Sequence, residues 1–278
     1  MYNNYTMSKK SSEVTPGSFY VPEEWDAPEP LTVDERTPEW DRPLDYKVEK
    51  KITSYPELVA EYSTFADYFH PKDDVVYYPC CGDDISPTSA FPKSRVIYVD
   101  IKDDSVGAKN GFEFHKDSAL EFDPGEVDIL ILQNPQMDPR VPCSHVAPGG
   151  YVLSNNYNDT AYKVAEIDGY KLMAVIEKGD DDKLVIVTDD LEGYVTDVET
   201  EDEFRASTPG SHYAINYDDA AKIVEAATGK RENVLAEYRT ILEGIESAGI
   251  PNTLIPKKKA SKGDLFVFQK TNKNEGVE

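Results

Sequence analysis

Two kinds of hydrophobic periodicity divide this chain. Between about 74 and 190 the apolar residues fall in short, nearly unbroken runs. "DVVYYP", "SRVIYVDI", "GFEFHKD", "EVDILILQNP" and "PGGYVLSNN" read as five successive strands, and "YKLMAVIEK" and "DKLVIVTDD" as two more. Near-continuous apolar strands separated by loops or helices predict a parallel sheet covered on both faces. The polar turn "GDDD" joins the last two runs and predicts an antiparallel pair. Ahead of the first strand, Leu58, Tyr62, Phe65 and Phe69 recur at helical spacing, with Pro71 just beyond as a stop. "SPTSAF" reads as a short helix with Ser86 as cap and Pro87 at its first position, and "NDTAYKVAEI" as a crossover helix. After Glu192 the period lengthens. "DDAAKIVEAATG" is a helix ended by Gly229. "RENVLAEYRTILEGIESAG" is a second, with Val234, Leu235, Tyr238, Ile241, Leu242 and Ile245 in one stripe and Gly249 as its stop. "DLFVFQKT" reads as a last strand.

Residues 1–48 break both patterns. They are rich in Pro, Glu, Asp, Ser and Thr, and predict an irregular acidic arm. Trp25 and Trp40 are out of character for a free tail and suggest local docking. The expected organisation is therefore an arm at 1–48 and an α/β domain at 49–278, with a helical insertion at about 195–255.

Charge narrows the functions. The 278 residues carry 29 basic and 53 acidic side chains, a net charge of −24. Such a surface repels phosphates and disfavours a nucleic-acid partner. Solvation in a salty cytoplasm, a basic partner, or acidic tails alone could each account for it. Lysine outnumbers arginine, which favours plain solvation with acidic tails. Cys80, Cys81 and Cys143 are an odd set with two adjacent members, not a disulfide framework, so a reducing, cytoplasmic setting is expected. The N-terminal stretch has no signal-peptide core, and no apolar run is long enough to span a membrane. No metal is expected, because adjacent cysteines chelate one tetrahedral ion poorly and paired CxxC spacing is missing.

The strand ends hold the chemistry. In doubly wound sheets ligands sit outside the carboxyl ends of the strands. After the first strand come Pro79, Cys80, Cys81, Gly82, Asp83 and Asp84; after the second, Asp100 and Ile101. After the third come Lys116, Asp117 and Ser118; after the fourth, Asn134, Pro135 and Gln136.

This succession resembles the class I S-adenosylmethionine-dependent methyltransferases, over about residues 70–190 with a last strand near 264–270. The resemblance implies a Rossmann-like doubly wound sheet, mostly parallel, with an antiparallel strand near the C-terminal end. It implies S-adenosylmethionine as cofactor, held by Pro79, Cys80, Cys81, Gly82 and Asp84. Asp100 and Ile101 would hold the ribose, and Asp117 and Ser118 the adenine. Asn134, Pro135 and Gln136 would face the acceptor, with Asn134 orienting it. "PGGYVLSNN" matches the family's approach to the fifth strand.

Two departures stand out. "YPCCGDD" has Pro79 where the family places an acid, and one glycine where it places several. "NPQM" keeps the Asn-Pro of the amino-nitrogen methyltransferases but has Gln136 and Met137 for the second proline and the ring. The expected function is methyl transfer to an unidentified small-molecule or protein acceptor. The competing class is a non-catalytic methyltransferase-like acidic binding or structural protein.

Overall fold

The computed structural model describes residues 53–101, 111–179, 183–247, 255–259 and 265–271. The expected N-terminal arm, with Trp25 and Trp40, lies outside them, as does the helix stop expected at Gly249. The described elements run α1 (Pro56–Phe69), β1 (Val75–Pro79), α2 (Ser86–Ala90), β2 (Arg95–Asp100), β3 (Glu113–Lys116) and β4 (Val127–Leu132). They continue α3 (Arg140–Cys143), β5 (Val146–Ser154), α4 (Thr160–Ala165), β6 (Tyr170–Lys178), β7 (Leu184–Val187) and a 3-10 turn (Leu191–Tyr194). Last come α5 (Glu201–Ala206), α6 (Tyr217–Thr228), α7 (Val234–Ser247) and β8 (Leu265–Lys270).

The eight strands form one sheet in the order β3-β2-β1-β4-β5-β8-β6-β7. β1 pairs in parallel with β2 and β4, β2 with β3, and β4 with β5. β8 runs antiparallel to both β5 and β6, and β7 antiparallel to β6. The chain winds outward from β1 to β3, then crosses back to β4. The strand order reverses between β1 and β4, where doubly wound sheets place their ligands. This is a Rossmann-like sheet of the class I methyltransferase type, mostly parallel, with the late antiparallel strand that the resemblance implies.

Alternation along each strand divides the core in two. Val76, Tyr78, Ile129 and Ile131 pack on one face with Tyr62 and Phe65 of α1 and with Phe91. Tyr77, Leu130 and Leu132 pack on the other with Cys143, Ala161, Tyr162 and Val164. Every residue of β4 is buried, which is why its sequence shows no polar face. Its single charge, Asp128, is tied at the strand's amino end: Oδ2 accepts the Val75 N–H at 3.0 Å and Lys72 lies 3.2 Å away. Gly150 is the small residue β5 requires, since a Cβ there would come within 2.8 Å of the Asp128 carbonyl oxygen.

One local expectation is corrected. Ser86 does not cap α2; it is the helix's first residue, and Ile85 holds the cap position. The upstream Asp84 carboxylate takes over, accepting both the Ser86 N–H (2.8 Å) and its hydroxyl (2.5 Å).

Between β7 and β8 a third core forms from α5, α6 and α7 around Phe204, Val224, Val234 and Tyr238. α5 was not expected, although Thr200 and Glu203 complete a capping box at its start. Gly229 closes α6, as its position predicted. No helix among the described residues is long and apolar enough to cross a membrane.

Candidate functional site

Two cavities open along the carboxyl edge of the sheet. The first, about 420 Å³, spans the ends of β1 to β4 and is lined by Gly82, Asp100, Ile101, Ser118, Leu120 and Gln136, among others. The second, about 600 Å³, runs from the ends of β1 and β4 towards β6 and is covered by the start of α1. Cys80 and Asn134 line both.

Asp100 anchors the first cavity. It ends β2, is buried, and its Oδ2 accepts the Gly82 N–H at 2.9 Å. The β1 loop is thereby tied to the end of β2. Gly82 sits at φ 59°, a left-handed conformation that suits glycine, and a Cβ there would meet nothing within 4 Å. The loop therefore lies open where its backbone turns. Ile101 is 71% exposed and Leu120 is 54% exposed, apolar surface available to a flat ligand.

The two residues shared by the cavities also share a left-handed backbone. Cys80 has φ 56° and Asn134 has φ 50°; asparagine visits this region readily, so the strain lies at Cys80. At Asn134 hydrogen bonds hold the turn. Its N–H donates to Asn155 Oδ1 (3.1 Å), and its own Oδ1 accepts from Asn155 Nδ2 (2.6 Å). Asn158 Nδ2 donates to the Asn134 and Pro135 carbonyls at 3.1 and 3.3 Å.

The second cavity has a different lining. Tyr55, Glu57, Leu58 and Glu61 come from the start of α1, Asp83 and Asp84 from the β1 loop, and Ile176, Lys178 and Leu184 from β6 and β7. Asp84 is buried, and burial pushes its carboxyl above the ordinary range against the pull of its hydrogen bonds to Ser86 and Tyr78. The Tyr78 hydroxyl donates to Asp84 Oδ2 at 3.1 Å.

The residues expected from the strand ends thus separate. Cys80, Gly82, Asp100, Ile101, Ser118, Asn134 and Gln136 gather at the first cavity. Cys81 and Asp84 face the second. Pro79 is a buried end of β1, and Pro135 is buried beneath the Asn158 amide. Asp117 is exposed and lines neither cavity; its Oδ1 accepts the Ser118 N–H at 2.7 Å. Among the described residues the helical unit lines neither cavity, and the start of α1 covers the larger one. The chain ahead of α6 instead meets the loop after β5, where the His212 N–H donates to the Tyr157 carbonyl (3.1 Å). Asn156 Nδ2 donates to the Gly210 carbonyl there at 3.3 Å.

The α1 contribution went unread in the sequence, yet a signal exists. Glu61 stands on the same helical face as Leu58, Tyr62 and Phe65, a carboxylate inside an apolar stripe, and is 8% exposed. Cys143 is buried with its thiol pushed up to about 12, so it is a packing residue.

No protein-family profile and no curated protein matches this chain. Solved structures similar to parts of it are distant. The N-methyltransferase NodS from Bradyrhizobium japonicum WM9, in complex with S-adenosyl-L-homocysteine, is 12% identical with a TM-score of 0.28. The similarity covers 35% of this chain and 58% of that one. A ribosomal protein L11 methylase from Lactobacillus delbrueckii subsp. bulgaricus is 19% identical over 44% of this chain and 72% of its own, with a TM-score of 0.35. A precorrin-6y C5,15-methyltransferase from Geobacter metallireducens GS-15 is 11% identical over 51% of this chain and 87% of its own, also at 0.35. The fold rests on the strand order, not on these likenesses.

Proposed function

We propose that this protein is a methyltransferase that uses S-adenosylmethionine, with the adenosyl part in the smaller cavity and the acceptor in the larger. The observation that carries this reading is Asp100. It is a buried carboxylate at the end of β2, held by the Gly82 N–H and lining a cavity at the switch point of the sheet. A carboxylate at this place can accept a ribose hydroxyl. The apolar surfaces of Ile101, Ala119 and Leu120 suit the two sides of a purine, and Ser118 offers a hydroxyl at its edge. The residues present therefore fit the cofactor.

The bound cofactor would supply an electrophilic methyl on a sulfonium sulfur. The chain's own part is positioning and exclusion of water. Asp100 and the β1 loop would fix the nucleoside. Cys80 and Asn134 border both cavities, and this shared rim would be the throat where the methyl faces its acceptor. Asn134 has its amide oxygen committed to Asn155, which locks the side chain and leaves Nδ2 to donate to an acceptor. α1 closes the acceptor side.

Calorimetric titration with S-adenosylhomocysteine is the test. The intact protein should bind it, and Asp100→Asn should weaken binding at least about tenfold, the loss of a charge-assisted hydrogen bond. No binding by the intact protein would favour a non-catalytic role for the fold.

A further inference from the structure

We infer that the short segment from Thr53 to Tyr55, just ahead of α1, is a strap that couples the two cavities: cofactor in the smaller one steadies the cover of the larger. The inference rests on the methyl-transfer reading above and adds how its two ligands would sense each other.

The strap is tied to the β1 loop through backbone and side chain. The Thr53 N–H donates to the Asp83 carbonyl at 2.9 Å, and the Ile85 N–H donates to the Thr53 carbonyl at 2.9 Å. These bonds set Thr53 in a parallel bridge with Asp84. Two residues on, the Tyr55 N–H donates to Ser86 Oγ at 2.8 Å. Ser86 is fully buried, and its hydroxyl donates in turn to Asp84 Oδ1. α1 brings no side-chain cap of its own. Tyr55 holds the cap position without a side-chain hydrogen bond, and a proline opens the helix. A helix entry must find its partners elsewhere when it lacks a cap. Here the β1 loop supplies them.

The same loop faces the other cavity. Cys80 and Gly82 line the smaller one, and the Gly82 N–H is bound to Asp100. Asp83, which receives the strap, is the next residue. Tyr55, Glu57 and Leu58 line the larger cavity. Further along α1, Tyr62 and Phe65 are anchored in the core, so only the strap and the first helical turn are free to respond. A nucleoside on Asp100 would fix the β1 loop, and the fixed loop would hold Thr53 and Tyr55 in place. Such coupling is reciprocal, so a steadied cover would in turn tighten the nucleoside.

Amide hydrogen exchange on the full chain, with and without saturating S-adenosylhomocysteine, tests this. The Thr53, Tyr55 and Ile85 amides should exchange about tenfold or more slowly with the ligand bound, a typical coupling between sites. The Ala221 and Val224 amides of α6 should change by less than about twofold. Ser86→Ala removes the acceptor for the Tyr55 N–H. That variant should still bind S-adenosylhomocysteine, while its Tyr55 amide exchanges fast with or without ligand. Thr53→Pro, which removes the donor to Asp83, serves the same purpose should Ser86→Ala unfold. If S-adenosylhomocysteine binds and exchange across the strap is unchanged, or slows equally in α6, the strap is wrong and the methyl-transfer reading stands. A Tyr55 response of full size in Ser86→Ala would also overturn it. If S-adenosylhomocysteine itself fails to bind, the function and this inference fall together.

Discussion

The two cavities share a rim and little else. The smaller is assembled in chain order from the ends of β1 to β4, and its one buried carboxylate, Asp100, is pinned by a backbone N–H. The larger draws on α1, β6 and β7, far apart in sequence, and carries four carboxylates. A site built from successive strand ends is a product of the winding itself. A site walled by α1 and the β6–β7 pair depends on what was added around that winding. Under the proposed function the difference teaches where specificity would reside: the winding would hold the cofactor, and the additions would choose the acceptor.

Breaking the comparison at its hinge should have the largest effect. Gly82→Val places a β-branched residue at φ 59°. The left-handed conformation alone costs about 1–2 kcal/mol there. Urea unfolding should show a loss of about 2 kcal/mol or more, and S-adenosylhomocysteine affinity should fall with it, because Gly82 also holds Asp100. Unchanged affinity would mean that the loop's tie to Asp100 has no part in the smaller cavity.

Cys80→Gly sharpens the comparison at the throat. Cys80 sits at φ 56° and borders both cavities. Glycine removes the strain, worth about 1 kcal/mol, and widens the passage. The unfolding midpoint should rise while S-adenosylhomocysteine binding survives. A midpoint that falls by the same amount would show that packing of the thiol outweighs the backbone strain.

The smallest effect concerns a buried carboxylate outside both cavities. Asp159 is 3% exposed at φ 58°, and its Oδ1 has no hydrogen-bond partner among the described residues. Burial raises its pKa above the ordinary 3.8, against the pull of Ser211, Lys163 and Lys257. A raised carboxyl favours the folded state while protonated, below its ordinary pKa, and that favour is lost as pH rises through the folded value. Asparagine tolerates the left-handed backbone and carries no charge. Asp159→Asn should therefore stabilise by about 0.5 kcal/mol at neutral pH, with the gain shrinking towards pH 4 and below. Thermal unfolding at several pH values reads this directly. A gain that grew on acidification would reverse the sign and refute the burial argument.

How much of this was legible in the sequence follows from the same contrast. The strands were plain because a sheet covered on both faces needs runs such as "VDILIL" that are apolar on every side. α3, with four residues, and α5, with six, are too short to show a period, although the Thr200–Glu203 capping box marked the second. Asp100 and Gly82 were legible because the β1–β2 unit places them together by local winding. Asp117 and Asp84 lie outside the smaller cavity, a one-residue distinction that strand-end reasoning does not resolve. In the loop after β3 it is Ser118 that turns into the cavity, while Asp84 serves Ser86 and Tyr78. Ile176, Lys178 and Leu184 were illegible because their place depends on β8 inserting between β5 and β6, a pairing of distant segments. Glu61 was readable in principle as the one acid in an apolar stripe.

The central claim is that the two cavities act as one site divided at Cys80 and Asn134. A crystal structure of the protein with S-adenosylhomocysteine tests it most directly. The account predicts the ribose on Asp100, the adenine between Ile101 and Leu120, and the sulfur at the throat between Cys80 and Asn134, facing the larger cavity. A nucleoside found elsewhere, or a sulfur directed away from the larger cavity, would contradict it.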